Sequence, residues 1–325
     1  MEYLTAPITL MAGESLIGRD FWLTPDFAAG TQNAVIVVAG DDVTIKDVRL
    51  FGPRDWPTSG WARPNLMGIR AESRARLLIE RVQIEGLPAH GIYGYGWSDM
   101  LIRDVVLRHV FVGINSNHYA PSYNVLIERV HVSDTWGTDP AYPSRVRPGG
   151  CVGGDGMALN SLRASKIKEC IVTGEVYVGF KLTNPQEVAI TGCRGTSLMV
   201  QGVASGEAGN GMTPARDVLI EGCIFDQGLG YDNESAGAMH ITLHVASCHV
   251  HRNILNGAGR NGHAIKLTHD AHATIDCNVI RDFNGTEGAY DAHALDLVTS
   301  QGASANEDFV HVNRFVEQDL LVLVR

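Results

Sequence analysis

Four side chains suited to proton abstraction recur in one short sequence frame. Lys181 follows Gly179-Phe180, His240 follows Ala238-Met239, Lys266 follows Ala264-Ile265 and Asp296 follows Ala294-Leu295. A lysine or histidine whose proton affinity is depressed by a neighbouring cation can remove the proton α to a carboxylate. That removal is the demanding step of polyuronate β-elimination or C5-epimerisation. The same cations would neutralise the carboxylate of an acidic substrate. The competing chemistry is glycoside hydrolysis, which takes two carboxylates roughly 5–9.5 Å apart. Asp155, in Gly153-Gly154-Asp155-Gly156, is the best single acid, with Asp232, Glu234 and Asp291 as carboxylates that loops could bring to it. Lys181, His240, Lys266, Asp296 and Asp155 are therefore the candidate catalytic residues.

The same frame elsewhere places Arg70, Tyr93, Asn115, Ala158 and Met199 at equivalent outward positions. The positions two before are mostly small (Gly91, Gly113, Gly156, Gly179, Ala238, Ala264, Ala294), as expected where something approaches the backbone closely. A groove would explain this. Two residues beyond the outward positions stand Tyr95, Asn117, Asn160, Thr183, Thr242 and Thr268, hydroxyls and amides suited to a polar ligand such as a glycan. Three insertions, at about 52–66, 134–154 and 226–237, would wall the groove and carry Trp56, Trp61, Arg63, Trp136, Tyr142, Arg145, Arg147 and Tyr231. Aromatic rings beside arginine suit sugar rings and carboxylates. They equally suit the cover of an apolar sheet or a subunit contact. The expected binding residues are Arg70, Tyr93, Asn115, Asn117, Asn160, Trp56, Trp61, Trp136, Arg145 and Tyr231.

What must position these side chains is a repeat. Segments of the type Leu78-Ile79-Glu80-Arg81-Val82, Leu126-Ile127-Glu128-Arg129-Val130 and Leu219-Ile220-Glu221-Gly222-Cys223 recur from Val43 to Asn313. Their central apolar residues (45, 79, 102, 127, 167, 190, 220, 250, 275, 310) are separated by 23 to 40 residues. An interval with a floor and variable additions is produced by stacked coils with loop insertions. Each interval also holds the second short strand that carries the frame above, and no 3.6-residue period competes. On these segments the sequence resembles the right-handed parallel β-helix superfamily typified by pectate lyases, polygalacturonases, alginate lyases and epimerases, and phage tailspikes. The resemblance covers roughly residues 34–325 and implies an all-β, right-handed parallel β-helix solenoid of about ten or eleven coils. Residues 1–33 are expected to form an N-terminal cap or first coil, and 34–325 a single β-helix domain. Lyases and epimerases of this superfamily use Lys, Arg or His on a strand face, sometimes with calcium, so the resemblance implies a type of constellation. The polygalacturonase pattern fails here, because Asp41-Asp42 lies in the first coil and Gly262-His263-Ala264 lacks its second glycine.

Stacked coils turn the alignment into columns. One runs Val48, Val82, Val105, Val130, Cys170, Cys193, Cys223, Asn253, Asn278, Asn313. It reads as structural: buried cysteine behaves as a small hydrophobe, and stacked asparagine amides bond along the axis. The six cysteines are attributed to packing and expected as reduced thiols. A second column, Lys46, Glu80, Arg103, Glu128, Lys168, Thr191, Glu221, His251, Asp276, His311, largely alternates in sign, as cross-strand pairs on a solvated face do. His249 and His251 share that face at a metal-ligand spacing, but without a third ligand nearby they read as surface residues, and no metal site is expected there.

The 325 residues carry 26 Lys+Arg against 36 Asp+Glu, a formal charge of −10. With no basic run to neutralise a row of phosphates, nucleic-acid binding drops out. No Walker loop, nucleotide-binding glycine fingerprint or HExxH occurs. No apolar stretch approaches a membrane span, the longest lying near Ala34–Ala39. The first residues lack a basic leader, so the expected place is the cytoplasm or a virion, or outside the cell if a leader has been removed. No cofactor is required on this reading, although acidic loops such as Asp232-Asn233-Glu234 and Glu307-Asp308 could take calcium. The apolar run Leu320–Val324 reads as an uncapped last coil, which a partner copy would cover, so a homo-oligomer (dimer or trimer) is expected. Two functions share these facts: a carbohydrate-active lyase or epimerase, and a glycan-binding tailspike or adhesin subunit that acts without catalysis or as a depolymerase.

Overall fold

The structure is a computed structural model. It describes residues 2–24, 26–28, 31, 33–52, 66–135, 154–174, 176–202, 214–227, 237–257, 263–268, 271–281, 293–297, 304–305, 313–316 and 323–324. At 293–297, 305, 314–316 and 323–324 only the backbone is described. The described residues are strands joined by tight bends, and among them no helix is long and apolar enough to cross a membrane.

The chain divides into two compact units, one comprising Met1–Asn160 with Cys170–Tyr177 and the other Ser161–Glu169 with Val178–Arg325. Each unit is a stack of parallel-paired coils. In the first, Ser15–Leu23 pairs with Thr44–Phe51, which pairs with Leu78–Glu80, then Leu101–Arg103 and Leu126–Glu128. A second row carries Ile8–Leu10, Ala34–Val38, Met67–Glu72, the ends of Gln83–Tyr95 and Val106–Ser116, and Met157–Asn160. A third runs through the start of Gln83–Tyr95 and of Val106–Ser116 to His131–Ser133 and Ile171–Thr173. The second unit repeats the plan. Leu162–Lys168, Gln186–Thr191, Arg216–Glu221, Cys248–His251 and His272–Asp276 form one row, and Phe180–Thr183, Leu198–Gln201, Met239–Thr242, His263–Leu267 and His293–Leu297 another. The parallel β-helix expected from the repeat is therefore what forms.

Within residues 1–33, expected as a cap or first coil, Ile8–Leu10 and Ser15–Leu23 pair in register with the coil that follows, Ile8 opposite Ile36 and Ser15 opposite Thr44.

The repeat template states why these segments stack. Its central apolar residue points inward: Ile45, Ile79, Ile102 and Ile127 in the first unit, and Ile167, Ile190, Ile220, Val250 and Ile275 in the second, are all 0% exposed. Each such burial is worth about 1.5–3 kcal/mol. The second polar position of the template turns the corner in the left-handed region, at Asp47, Arg81, Asp104, Arg129, Glu169, Arg252 and Cys277, with glycine at 192 and 222. In the first unit these corner residues alternate in sign. Arg81 chelates the Asp47 carboxylate at 2.6 and 2.9 Å, and Arg129 chelates Asp104 at 2.7 and 3.1 Å.

The structural column behaves as its residue types imply. Cys223 donates its backbone N–H to Asn253 Oδ1, Asn253 to Asn278 Oδ1 and Asn278 to Asn313 Oδ1, each at 2.9 Å. The side-chain amides donate backward to the carbonyls of Ile220, Val250 and Ile275. Cys170, Cys193, Cys223 and Cys248 are buried free thiols. Burial pushes the Cys248 thiol up to about 12. Cys277 corrects the attribution of every cysteine to packing: it occupies a left-handed corner and is exposed. Cys151 lies outside the described residues.

The charge column corrects another expectation. Lys46, Glu80, Arg103 and Glu128 do stack in register with alternating sign. The face is not uniformly solvated, however, because the Glu80 side chain is only 6% exposed. Lys46 Nζ stands 3.5 Å from it, Arg103 donates at 3.2 Å, and Arg81 donates to its other oxygen. Three long cationic side chains cover the carboxylate they neutralise.

Candidate functional site

In the first unit, strand register brings Arg70, Tyr93, Asn115 and Ala158 into one row, each opposite the next. The row is held by its own hydrogen bonds. Arg70 forms a bidentate pair with Glu72, both contacts at 2.9 Å, and the pair is about three-quarters buried. The Tyr93 hydroxyl accepts from Asn117 Nδ2 at 3.1 Å. Asn160 donates to the Ser116 carbonyl at 2.6 Å, and the Ser116 hydroxyl donates to the Asn160 carbonyl at 3.1 Å. Burial raises the Tyr93 phenol above its usual range against the opposing bond from Asn117, so it stays neutral.

Three residues absent from the sequence reading complete this face. His90 stacks on Tyr93 with ring centroids 5.2 Å apart and lies 3.4 Å from Asn115 Nδ2. Burial pushes the imidazole down to about 4, so it is neutral and accepts from Asn115. Tyr119 meets Tyr95 edge-on at 5.4 Å, stacks obliquely with His118 at 5.0 Å and is 61% exposed. The sequence signal for this shelf was the short insertion His118-Tyr119-Ala120-Pro121, which departs from the strand template without being long enough to attract notice. Gly94 permits the close packing below it: a Cβ there would stand 1.8 Å from the Ala71 carbonyl oxygen and 2.4 Å from Trp97 Nε1, which donates to that oxygen at 2.7 Å.

In the second unit, Lys181, Met199, His240, Lys266 and Asp296 occupy successive coils in register. Lys181 and Lys266 are partly exposed. His240 is not the groove-lining side chain its outward position implied, since it is 4% exposed. Its Nε2 lies 3.3 Å from Thr268 Oγ1, and Thr268 is hydrogen-bonded to Thr242. The hydroxyls expected to meet a ligand here are turned on one another and on the imidazole: Thr183, Thr242 and Thr268 are all buried, and Thr183 accepts from Gln201 Nε2 at 2.9 Å. The Asp296 side chain lies outside the described residues.

Asp155 is partly exposed two residues before Met157–Asn160, and its carbonyl accepts from the Gly113 N–H at 3.3 Å. The carboxylates proposed to join it, Asp232, Glu234 and Asp291, lie outside the described residues, as do the loop residues Trp56, Trp61, Arg63, Trp136, Tyr142, Arg145, Arg147 and Tyr231. So do the acidic loops read as calcium candidates, and Leu320, Leu321 and Val322 of the last apolar run.

No protein-family model and no curated protein matches the sequence. Solved structures match by fold. The pre-mature bacteriophage phi29 gene product 12 superposes with a TM-score of 0.60 at 10% identity, over 93% of this chain and 43% of that one. The tailspike protein of E. coli bacteriophage HK620, in complex with pentasaccharide, gives 0.48 at 12% identity, over 94% of this chain and 56% of that one. DFA-IIIase from Arthrobacter chlorophenolicus A6, without its lid, gives 0.47 at 10% identity, over 92% of this chain and 75% of that one. The chain thus spans about half the length of the two phage proteins. At these identities the likeness is one of fold: the chain is a right-handed parallel β-helix.

Proposed function

We propose that the chain binds an acidic glycan on its outward strand rows. The observation that carries this reading is the face of the first unit. There a shelf of the exposed Tyr119 and the partly exposed Tyr95 adjoins Arg70, Glu72, Tyr93 and Asn117, whose hydrogen bonds hold them in place. A rigid aromatic surface beside fixed polar groups binds a sugar ring at little entropic cost. The second unit has an outward row of its own, where the partly exposed Lys181 and Lys266 offer positive charge to carboxylates bound on that unit. Calorimetric titration with neutral and uronate-bearing oligosaccharides tests the proposal. Tyr119→Ala should weaken binding on the first unit's face about tenfold, or ~1.4 kcal/mol, and Lys266→Ala should erase the preference for uronates on the second unit's row. Variants that bind as the parent does, or a parent that binds neither class, would sink it.

A catalytic second reading rests on His240 and Lys266 standing opposite each other on adjacent strands. In a lyase or epimerase, Lys266 would neutralise the uronate carboxylate and His240 would take the α proton. Because the imidazole is buried and paired with Thr268, substrate would have to displace that hydroxyl. Ultraviolet absorbance of an unsaturated uronate, followed with and without calcium, reads this chemistry. His240→Ala and Lys266→Ala should abolish it with the fold intact. Reducing ends formed without that absorbance would instead point to hydrolysis at Asp155. A virion location belongs to the same proposal, in keeping with the fold shared with a bacteriophage protein, and a homo-oligomeric state is proposed beside it, which light scattering on the purified chain tests.

A further inference from the structure

The structure assigns a divalent transition-metal site to His249, His251 and Asp276, on a different row of strands from Lys181, His240 and Lys266. His249 and His251 are two apart on Cys248–His251 and so share a face. Asp276 ends the next coil's strand, directly opposite His251. It is the third ligand whose absence made the histidine pair read as ordinary surface.

The three side chains already converge. His249 Nε2 lies 3.2 and 3.3 Å from the two carboxylate oxygens of Asp276, and His251 Nδ1 is hydrogen-bonded to one of them. The imidazole centroids are 5.2 Å apart. One ligand atom from each residue falls within 4.8 Å of the others. Ligands about 2.0–2.2 Å from one ion are separated by distances inside that limit, so an ion enters by displacing shared protons and with little movement of the coils. His251 and Asp276 are 19% and 29% exposed, sheltered enough to be ordered and open enough to admit an ion.

Two imidazoles and one carboxylate form a borderline donor set that suits Zn²⁺ and its first-row neighbours better than Ca²⁺ or Mg²⁺. Three protein ligands also leave a tetrahedral ion one exchangeable position. His249 lines an open cleft of about 770 Å³ with Asp217, Ser247, His272 and Ser304, so an ion bound to it borders solvent. Because the ligands come from two adjacent coils, the ion would also clamp those coils together.

The test uses the full chain without a polyhistidine tag, stripped with chelator and titrated with zinc chloride in a calorimeter. Melting is followed with and without zinc. One zinc per chain and a raised melting temperature are expected. His249→Gln and Asp276→Asn should each weaken binding at least about tenfold. His272→Gln, in the cleft but outside the cluster, should leave affinity unchanged. The His249 side chain is 45% exposed, so its replacement should spare the fold, which circular dichroism checks, and Asp276→Asn reports independently from the next coil. Absence of saturable binding, parental affinity in both cluster variants, or a loss confined to His272→Gln would overturn the assignment.

Discussion

Asn253 donates both its backbone N–H and its side-chain amide to one oxygen, Asn278 Oδ1, at 2.9 and 3.0 Å. The same Asn278 donates its own amide to the carbonyls of Val250 and Asp276, both at 2.9 Å. A single buried side chain therefore satisfies backbone groups in two coils, where water cannot reach to replace it.

Asn278→Ala should consequently be among the most destabilising single changes in the chain. Each buried polar group left unpaired costs about 1–3 kcal/mol, so a loss of about 3 kcal/mol or more is expected in urea unfolding. Asn278→Cys should fall between the two. In the equivalent place Cys223 accepts from the Cys193 N–H at 3.4 Å and donates to the Ile190 carbonyl at 3.6 Å, the same bonds in weaker form. An alanine variant with the parent's midpoint would refute this account of the column.

His90 predicts a pH dependence of stability. Its folded-state pKa is depressed to about 4 by burial, so between the unfolded value near 6.5 and that figure the unfolded chain binds the proton more readily. Stability should be indifferent to His90 above pH 6.5, fall as pH drops through the window, and level off near pH 4. The cumulative loss is about 3 kcal/mol. His90→Phe keeps a ring against Tyr93 and removes the proton site, so the difference between parent and variant isolates this limb. A difference curve that is flat across the window would contradict the assigned burial.

Glu80 predicts the opposite limb. Burial pushes its carboxyl up, but the bond and charge of Arg103, with Arg81 and Lys46, outweigh burial and hold it below the usual range. A lowered folded-state value means the ladder stabilises the chain above the unfolded carboxyl's range and loses that contribution as pH falls through the folded one. Glu80→Gln should lower the urea midpoint at neutral pH, and the gap to the parent should close in acid. Persistence of the gap at pH 3 would mean that shape, and not charge, is what the glutamine disturbs.

Much of this was legible because a coil repeat converts sequence spacing into spatial register. The row Lys181, Met199, His240, Lys266, Asp296 and the column ending in Asn253, Asn278, Asn313 both follow from aligning one template. What spacing does not encode is who covers whom. His240 sits where an outward residue belongs and is buried because Thr268 packs against it, and Glu80 is hidden by the stems of three cations. The metal ligands lie between these cases. The charge column already placed Asp276 beside His251, but that His249 reaches the same carboxylate from two residues away depends on side-chain rotamers.

The hydrogen bonds of the asparagine column have a direction. Every backbone N–H in it, from Cys193 through Asn278, donates to a side chain of the following coil. A coil in this part of the chain is thus incomplete until its successor has been synthesised and docked. Ribosomal synthesis supplies coils in that order, so each newly made turn seals the one before it. Unravelling under force should run the other way, with release of a later coil exposing the next amide to water.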